Sequence, residues 1–113
     1  MALSEEFLQY VLDQYATWGG VTARKMFGGA GLYRDGKMFG LVADDLVYLK
    51  VDDSNRDEYL EAGSHAFQPY PDKPMTMSYY LLPPEVLQNP TILMDWSHRS
   101  LAIQLKTKKK KKK

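Results

Sequence analysis

Asp35-Gly36 stands between two apolar stretches, Gly28 to Tyr33 before it and Met38 to Ala43 after it. A two-residue hairpin loop of type I′ needs positive φ at both central positions, and Asp-Gly adopts that shape at low cost, so an antiparallel hairpin is predicted here. A second reversal falls at Asp44-Asp45, followed by Leu46-Val47-Tyr48-Leu49-Lys50-Val51. Residues 21–51 therefore read as an antiparallel meander of three or four strands. In the last of them Val47, Leu49 and Val51 share one face and Leu46, Tyr48 and Lys50 the other, because side chains alternate along a strand. The first set is the expected core face.

The flanks have the other period. In residues 4–17, Phe7, Leu8, Val11, Leu12 and Tyr15 recur at helical spacing. Ser4 is placed to cap this helix, and Glu5 and Glu6 sit where the helix dipole favours anions. Gly19-Gly20 ends it. Ser54 to Ala62 reads as a short helix capped by Ser54, with Asp57 three residues on and Gly63 as its stop. Residues 64–74 hold Pro69, Pro71 and Pro74 and read as loop, with a brief strand at Ala66–Gln68. Met75 to Leu82 alternates as a strand that Pro83-Pro84 closes. Asn89-Pro90 opens the last helix. Its main stripe is Ile92, Leu93, Trp96, Ser100 and Ile103. Met94, Leu101 and Leu105 form a second, and Asp95 and Arg99 an i,i+4 pair. The expected fold class is α+β, two layers, an antiparallel meander sheet packed against N- and C-terminal helices. Apolar surface on two sides of the last helix also raises the expectation of a homodimer.

Charge divides the chain. Lys+Arg number 15 against 14 Asp+Glu, a net +1, yet Lys108–Lys113 supply six of the positive charges. The rest of the chain holds 9 basic against 14 acidic side chains, or −5. The expected organisation is a domain over residues 1–105 and a lysine-rich disordered tail over 106–113. With no Cys there is no disulfide framework, thiolate nucleophile or cysteine-ligated metal. The first cation is Arg24, unlike a secretory or transit peptide, and no apolar run reaches the roughly 20 residues that cross a bilayer. A cytoplasmic protein without membrane contact is expected.

Gly28, Gly29 and Gly31 are the most tempting chemical feature. Glycine-rich loops cradle phosphates where their N–H groups converge at a helix N-terminus. A strand follows here, and no Gly-Lys-Ser/Thr is present, so a bulge or close backbone packing explains the glycines more simply. The alternative function is a small-molecule-binding or catalytic domain using the turn at 28–31 with Arg24, Lys25 and Lys50. Asp44-Asp45 and Asp52-Asp53 read as turn and cap residues rather than carboxylate dyads, since adjacent strand residues point to opposite faces. His65 and His98 have no ligand spacing between them. Neither a catalytic residue nor a metal or cofactor is expected. The lysine run implies weak, nonspecific nucleic-acid contact through Lys108–Lys113 at most.

The stretch Arg24-Lys25-Met26-Phe27-Gly28-Gly29-Ala30-Gly31-Leu32-Tyr33-Arg34-Asp35-Gly36-Lys37-Met38-Phe39, with Leu46 to Val51, resembles the TfoX/Sxy N-terminal domain family. Met77 to Pro83 and the helix around Trp96 are similar to it as well, so the resemblance covers about residues 4–105. It implies an α+β sheet-and-helix fold. Full-length relatives are bacterial regulators of natural competence that act with a cyclic-AMP receptor protein and carry a C-terminal domain. The implied role is a stand-alone, non-enzymatic N-terminal module that contacts a protein partner of the transcription machinery. The family carries no catalytic residues over. Contact residues are expected at Met26, Phe27, Gly28, Gly29, Gly31, Tyr33, Phe39 and Tyr80.

Overall fold

The computed structural model describes residues 4–26, 29–67 and 78–111, the side chains of Met26 and of 106–111 excepted. Helix α1 spans Glu5–Gln14, and the Ser4 hydroxyl accepts the Phe7 N–H at 3.0 Å, the expected cap. It ends earlier than residue 17. Tyr15 and Ala16 donate to Leu12 and Asp13, so the last turn tightens before Gly19 and Gly20 reverse the chain at φ of 78° and 76°.

Five strands follow, β1 (Thr22–Met26), β2 (Gly29–Arg34), β3 (Lys37–Ala43), β4 (Leu46–Lys50) and β5 (Tyr79–Leu81). They form one antiparallel sheet in the order β1-β2-β3-β4-β5. Both short reversals have the primed geometry. Asp35 and Gly36 lie at φ of 55° and 76°, and Asp44 and Asp45 at 54° and 57°. The Asp45 carboxylate also accepts the Ser4 N–H at 2.9 Å, tying the β3–β4 turn to the start of α1.

The β2–β3 ladder contains a bulge that the sequence did not announce. Leu32 pairs with Gly40 but Tyr33 pairs with Met38, so Phe39 has no partner across the ladder. The extra residue lets Phe39 and Gly40 both face the core. Gly40 has no room for more than hydrogen, since a Cβ there would lie 2.7 Å from Leu49 Cδ2 and 2.9 Å from the Tyr48 carbonyl oxygen.

The inner face of the sheet holds the main core. Ala30, Leu32, Phe39, Val42, Val47, Leu49 and Val51 pack there with Leu8, Val11 and Tyr15 of the α1 segment and with Leu93 and Leu101. The β4 alternation is as expected, for Tyr48 lies on the other face with Leu41, Ala43, Phe67 and Tyr79. That outer cluster is smaller, and the helices lie on the opposite side. The result is the expected two-layer α+β fold.

Three elements depart from expectation. Helix α2 covers Arg56–Glu61 with Asn55, not Ser54, at its N-cap position. Ser54 is occupied, its N–H donating to the Asp52 carboxylate at 2.7 Å. Buried Asn55 clamps the loop instead, accepting from Asp52 N–H at 2.9 Å and donating to the Lys50 carbonyl at 3.3 Å. Pro83-Pro84 does more than end a strand. Pro84 starts the short helix α3 (Pro84–Leu87), where its missing N–H costs nothing. Helix α4 runs from Pro90 to Lys111, so helical backbone continues into the stretch expected to be a disordered tail from residue 106.

The stripes of α4 also merge. Leu93, Ser97, Ser100, Leu101 and Ile103 are buried, while Ile92 and Leu105 are exposed. The spacing 93, 97, 100, 101 is a single helix face, and Ile92 lies about 100° away from its neighbour Leu93. Residues 64–67 run beside β5, with Phe67 N–H donating to Tyr79 at 2.7 Å and Leu81 N–H to His65 at 3.0 Å. Ala66 bridges to Tyr80, as the brief strand predicted. Gln68 and residues 75–77 of the expected strand lie outside the described residues.

Candidate functional site

Strand register sets the residues of the outer face in rows. Nearest the β1–β2 connection, Met26 pairs with Gly29, and Ala43 with Leu46. The middle row is Arg24, Gly31, Leu41, Tyr48 and Leu81. At the other end of the strands, Thr22 pairs with Tyr33, Tyr33 with Met38, and Lys50 with Tyr79.

Rings and cations meet at that end, with Arg24 reaching Tyr33 from the middle row. The Arg24 guanidinium lies 5.5 Å from the Tyr33 ring centroid, and the Lys50 ammonium 5.4 Å from that of Tyr79. Tyr79 donates to the Met38 carbonyl at 3.5 Å, and Gln104 of α4 reaches the same carbonyl at 2.6 Å and the Tyr79 hydroxyl at 3.1 Å. Burial pushes Tyr79 up to about 12, and the neighbouring Tyr33 hydroxyl adds to the rise. Tyr79 is a neutral donor at any physiological pH. Tyr33 is half-buried beside the exposed Arg24.

At the opposite end of the strands an apolar side chain is exposed. Leu46 is 43% exposed, and on α1 the exposed Tyr10 stands 6.2 Å from Phe7. Lys25 pairs with Glu5 and Ser4 with Asp45, so the start of α1, β1 and the β3–β4 turn meet at this end.

The contact residues expected from sequence divide among these places. Gly29 and Gly31 lie buried in β2, facing outward beside Met26 and Arg24. A Cβ on Gly29 would sit 2.2 Å from the Val42 carbonyl oxygen, so close backbone packing accounts for that glycine. Gly29 pairs with Met26, and Ala30 and Gly31 pair on both sides, so residues 29–31 lie in a strand and not at a helix N-terminus. Tyr33 shares the outer face with Gly29 and Gly31. Phe39 does not: it is fully buried, its ring edge-on to Tyr15 at 5.6 Å and to Trp18 at 5.5 Å, and it is a core residue rather than a contact. The bulge is the reason. Tyr80 lies on the inner side of β5, 6.2 Å from Tyr59, far across the sheet from β2. Phe27, Gly28 and the Met26 side chain lie outside the described residues.

Other polar groups have structural work. Asp53 pairs with Arg56, and Arg99 bridges Glu58 of α2 and Asp95 of α4. His98 sits edge-on to Trp18 at 6.4 Å. The buried Tyr15 hydroxyl bonds that of Ser97 at 2.6 Å, and Ser100 donates to the Lys50 carbonyl at 2.7 Å. Burial raises both Tyr15 and Tyr59 above the usual tyrosine range. The Tyr59 hydroxyl faces Ser100 without hydrogen-bond geometry.

The grouping of Tyr33, Met38, Tyr79, Lys50 and Gln104 was not foreseen. Its signals were present, a tyrosine and a lysine on the same parity as the outer face, but the β4–β5 register across a long connection is not readable from a sequence.

The family model for the TfoX N-terminal domain matches residues 13–103, from within α1 to within α4. The chain belongs to the TfoX N-terminal domain family. Its meander, the bulge at Phe39 and both ends of the outer face all fall inside the matched span. No curated protein matches the chain. As a TfoX N-terminal domain it has no helix, among the described residues, long and apolar enough to cross a membrane.

Proposed function

We propose that this TfoX N-terminal module is a non-enzymatic regulatory domain that works by protein contact in the bacterial cytoplasm. Its role is transcriptional control, with competence genes as the target suggested by the family resemblance. The observation that supports protein contact is the exposure of Leu46 at the start of β4. Leu46 keeps 43% of its surface in solvent beside the exposed turn at Asp44 and Asp45. An exposed leucine at an end of the sheet that also carries Lys25, Glu5 and Asp45 suits contact with a partner that has both apolar and charged groups.

The test is cross-linked co-purification from a bacterial lysate with wild-type chain and with Leu46→Asp. Recovery of an RNA-polymerase-associated or cyclic-AMP receptor protein by the wild type, and its loss in the variant at unchanged melting temperature, is the expected result. Recovery of no transcription-associated protein, or equal recovery by both chains, overturns the proposal.

A further inference from the structure

The two edges of the sheet differ. Along β5 the chain covers its own edge, for Phe67 N–H donates to Tyr79 at 2.7 Å, Leu81 N–H donates to His65 at 3.0 Å, and Ala66 bridges to Tyr80. Strand β1 is the other edge and pairs with β2 alone among the described residues. In an antiparallel edge strand, alternate residues turn their N–H and C=O groups away from the sheet. Thr22 to Met26 pair with β2 without a register shift, and none of these residues is a proline. The edge is therefore regular and able to donate and accept along its length. Thr22, Arg24 and Lys25 on it are exposed.

Charge decides what this edge can accept. Strand β1 holds Arg24 and Lys25 and no carboxylate. Lys25 lies on the helix side, where it pairs with Glu5 of α1. Arg24 lies on the outer side, its guanidinium 5.5 Å from the Tyr33 ring centroid. A guanidinium over a ring keeps its in-plane N–H donors for a carboxylate. Asp35, which follows β2, pairs with Arg34, and Asp45 accepts the Ser4 N–H. A second copy of the chain suits the edge poorly. In the antiparallel register that pairs the whole of β1 with the same strand of another copy, Arg24 stands opposite its own counterpart. Like charges directly opposite one another destabilise a sheet, and cations on an edge guard against such self-pairing. The same cations favour a strand of opposite charge.

We propose that β1 takes up an extended segment of a partner protein as a further strand of the sheet, with an acidic residue of that segment opposite Arg24 on the outer side. Backbone pairing supplies the affinity of such strand addition, and the side chains opposite supply its selectivity. Thr22 shares a face with Arg24 and favours a β-branched residue opposite it. Strands β2 and β3 lie between this edge and β4. The site is therefore separate from Leu46 and stands whether or not Leu46 contacts a partner.

The experiment uses the full chain and a short labelled peptide of alternating valine and threonine with one central glutamate, read by fluorescence anisotropy. Two control peptides carry a central lysine in its place, or N-methyl groups along the backbone. The glutamate peptide should bind, the lysine peptide should bind more weakly, and the N-methylated peptide should not bind. Arg24→Glu should lower the affinity for the glutamate peptide roughly fivefold, as an attractive cross-strand pair becomes a repulsive one, and raise that for the lysine peptide. Amide hydrogen exchange should slow at the outward N–H groups of residues 22–26 when the glutamate peptide is added. The proposal fails if the glutamate peptide does not bind, if the glutamate and lysine peptides bind wild type equally, or if the N-methylated peptide binds as well as its parent. It also fails if Arg24→Glu binds both peptides like wild type, or if residues 22–26 exchange as fast with the peptide as without it. Slowed exchange at those residues on raising the protein concentration alone would assign the edge to a second copy and overturn the proposal.

Discussion

Two serines in the middle of a long helix are poor material for a core, yet Ser97 and Ser100 are fully buried. Each is there to satisfy a polar group. Ser97 meets the Tyr15 hydroxyl at 2.6 Å, 82 residues away in the chain, and Ser100 meets the Lys50 carbonyl. An apolar residue in place of Ser97 would leave the Tyr15 hydroxyl buried without a bond, which costs about 1–3 kcal/mol. If Ser100 were lost, the Lys50 carbonyl would keep only the longer bond from Asn55. The pair also fixes which face of α4 turns inward. Tyr15→Phe and Ser97→Ala should each destabilise the protein by about 1–2 kcal/mol, and the double variant by clearly less than the sum. Urea titration of the four chains measures the coupling. Strict additivity would show that the bond contributes nothing to the joint between α1 and α4.

At the scale of elements, what the sequence declares is whatever is local. Asp35-Gly36 announces its turn because positive φ is a property of two residues, and Ser4 announces α1 because a cap bonds three residues on. Asp44-Asp45 reverses the chain in the same primed geometry with no glycine at all. The bulge at Phe39 was hidden because it depends on how much space Leu32 and Leu49 leave on the inner face, which no local pattern records. Helix α3 was hidden behind a proline pair that equally well ends a strand. Phe39, expected among the contact residues, is drawn into the core by the same bulge. Arg34 shows how elements are joined where no local rule applies. Its guanidinium lies 4.3 Å from the Trp18 ring centroid, and its Nε donates to the Gly19 carbonyl at 2.9 Å. This closes the turn after α1 onto β2. Arg34→Met keeps the apolar stem and loses the charge and both donors. It should cost about 1–3 kcal/mol, with Arg34→Lys recovering less than half, because only the planar fork stacks and bonds at once. Equal stability of Arg34→Lys and wild type in urea would refute that account of the joint.

The molecule as a whole seals its interior with tyrosines that burial keeps neutral. Tyr79 carries this furthest towards the surface, since its hydroxyl links β5 to α4 and to β3. Its folded value of about 12 stands above the ordinary 10.0. Between those two values the folded chain holds a proton that the unfolded chain has released. The stability it contributes is thus complete below pH 10 and is lost as pH rises through about 12. Tyr15 and Tyr59 are shifted in the same direction by burial and act in the same sense. The urea midpoint should therefore show no tyrosine-linked fall below pH 10 and a steep one above it. Tyr79→Phe should start from a lower midpoint, having lost its bonds to Met38 and Gln104, and should fall less steeply over the same range. Lysine deprotonation occurs in both chains, so the difference between the two slopes isolates Tyr79. Parallel slopes would mean that this hydroxyl ionises in the folded state as readily as in water, and that the corner joining β3, β5 and α4 is open to solvent.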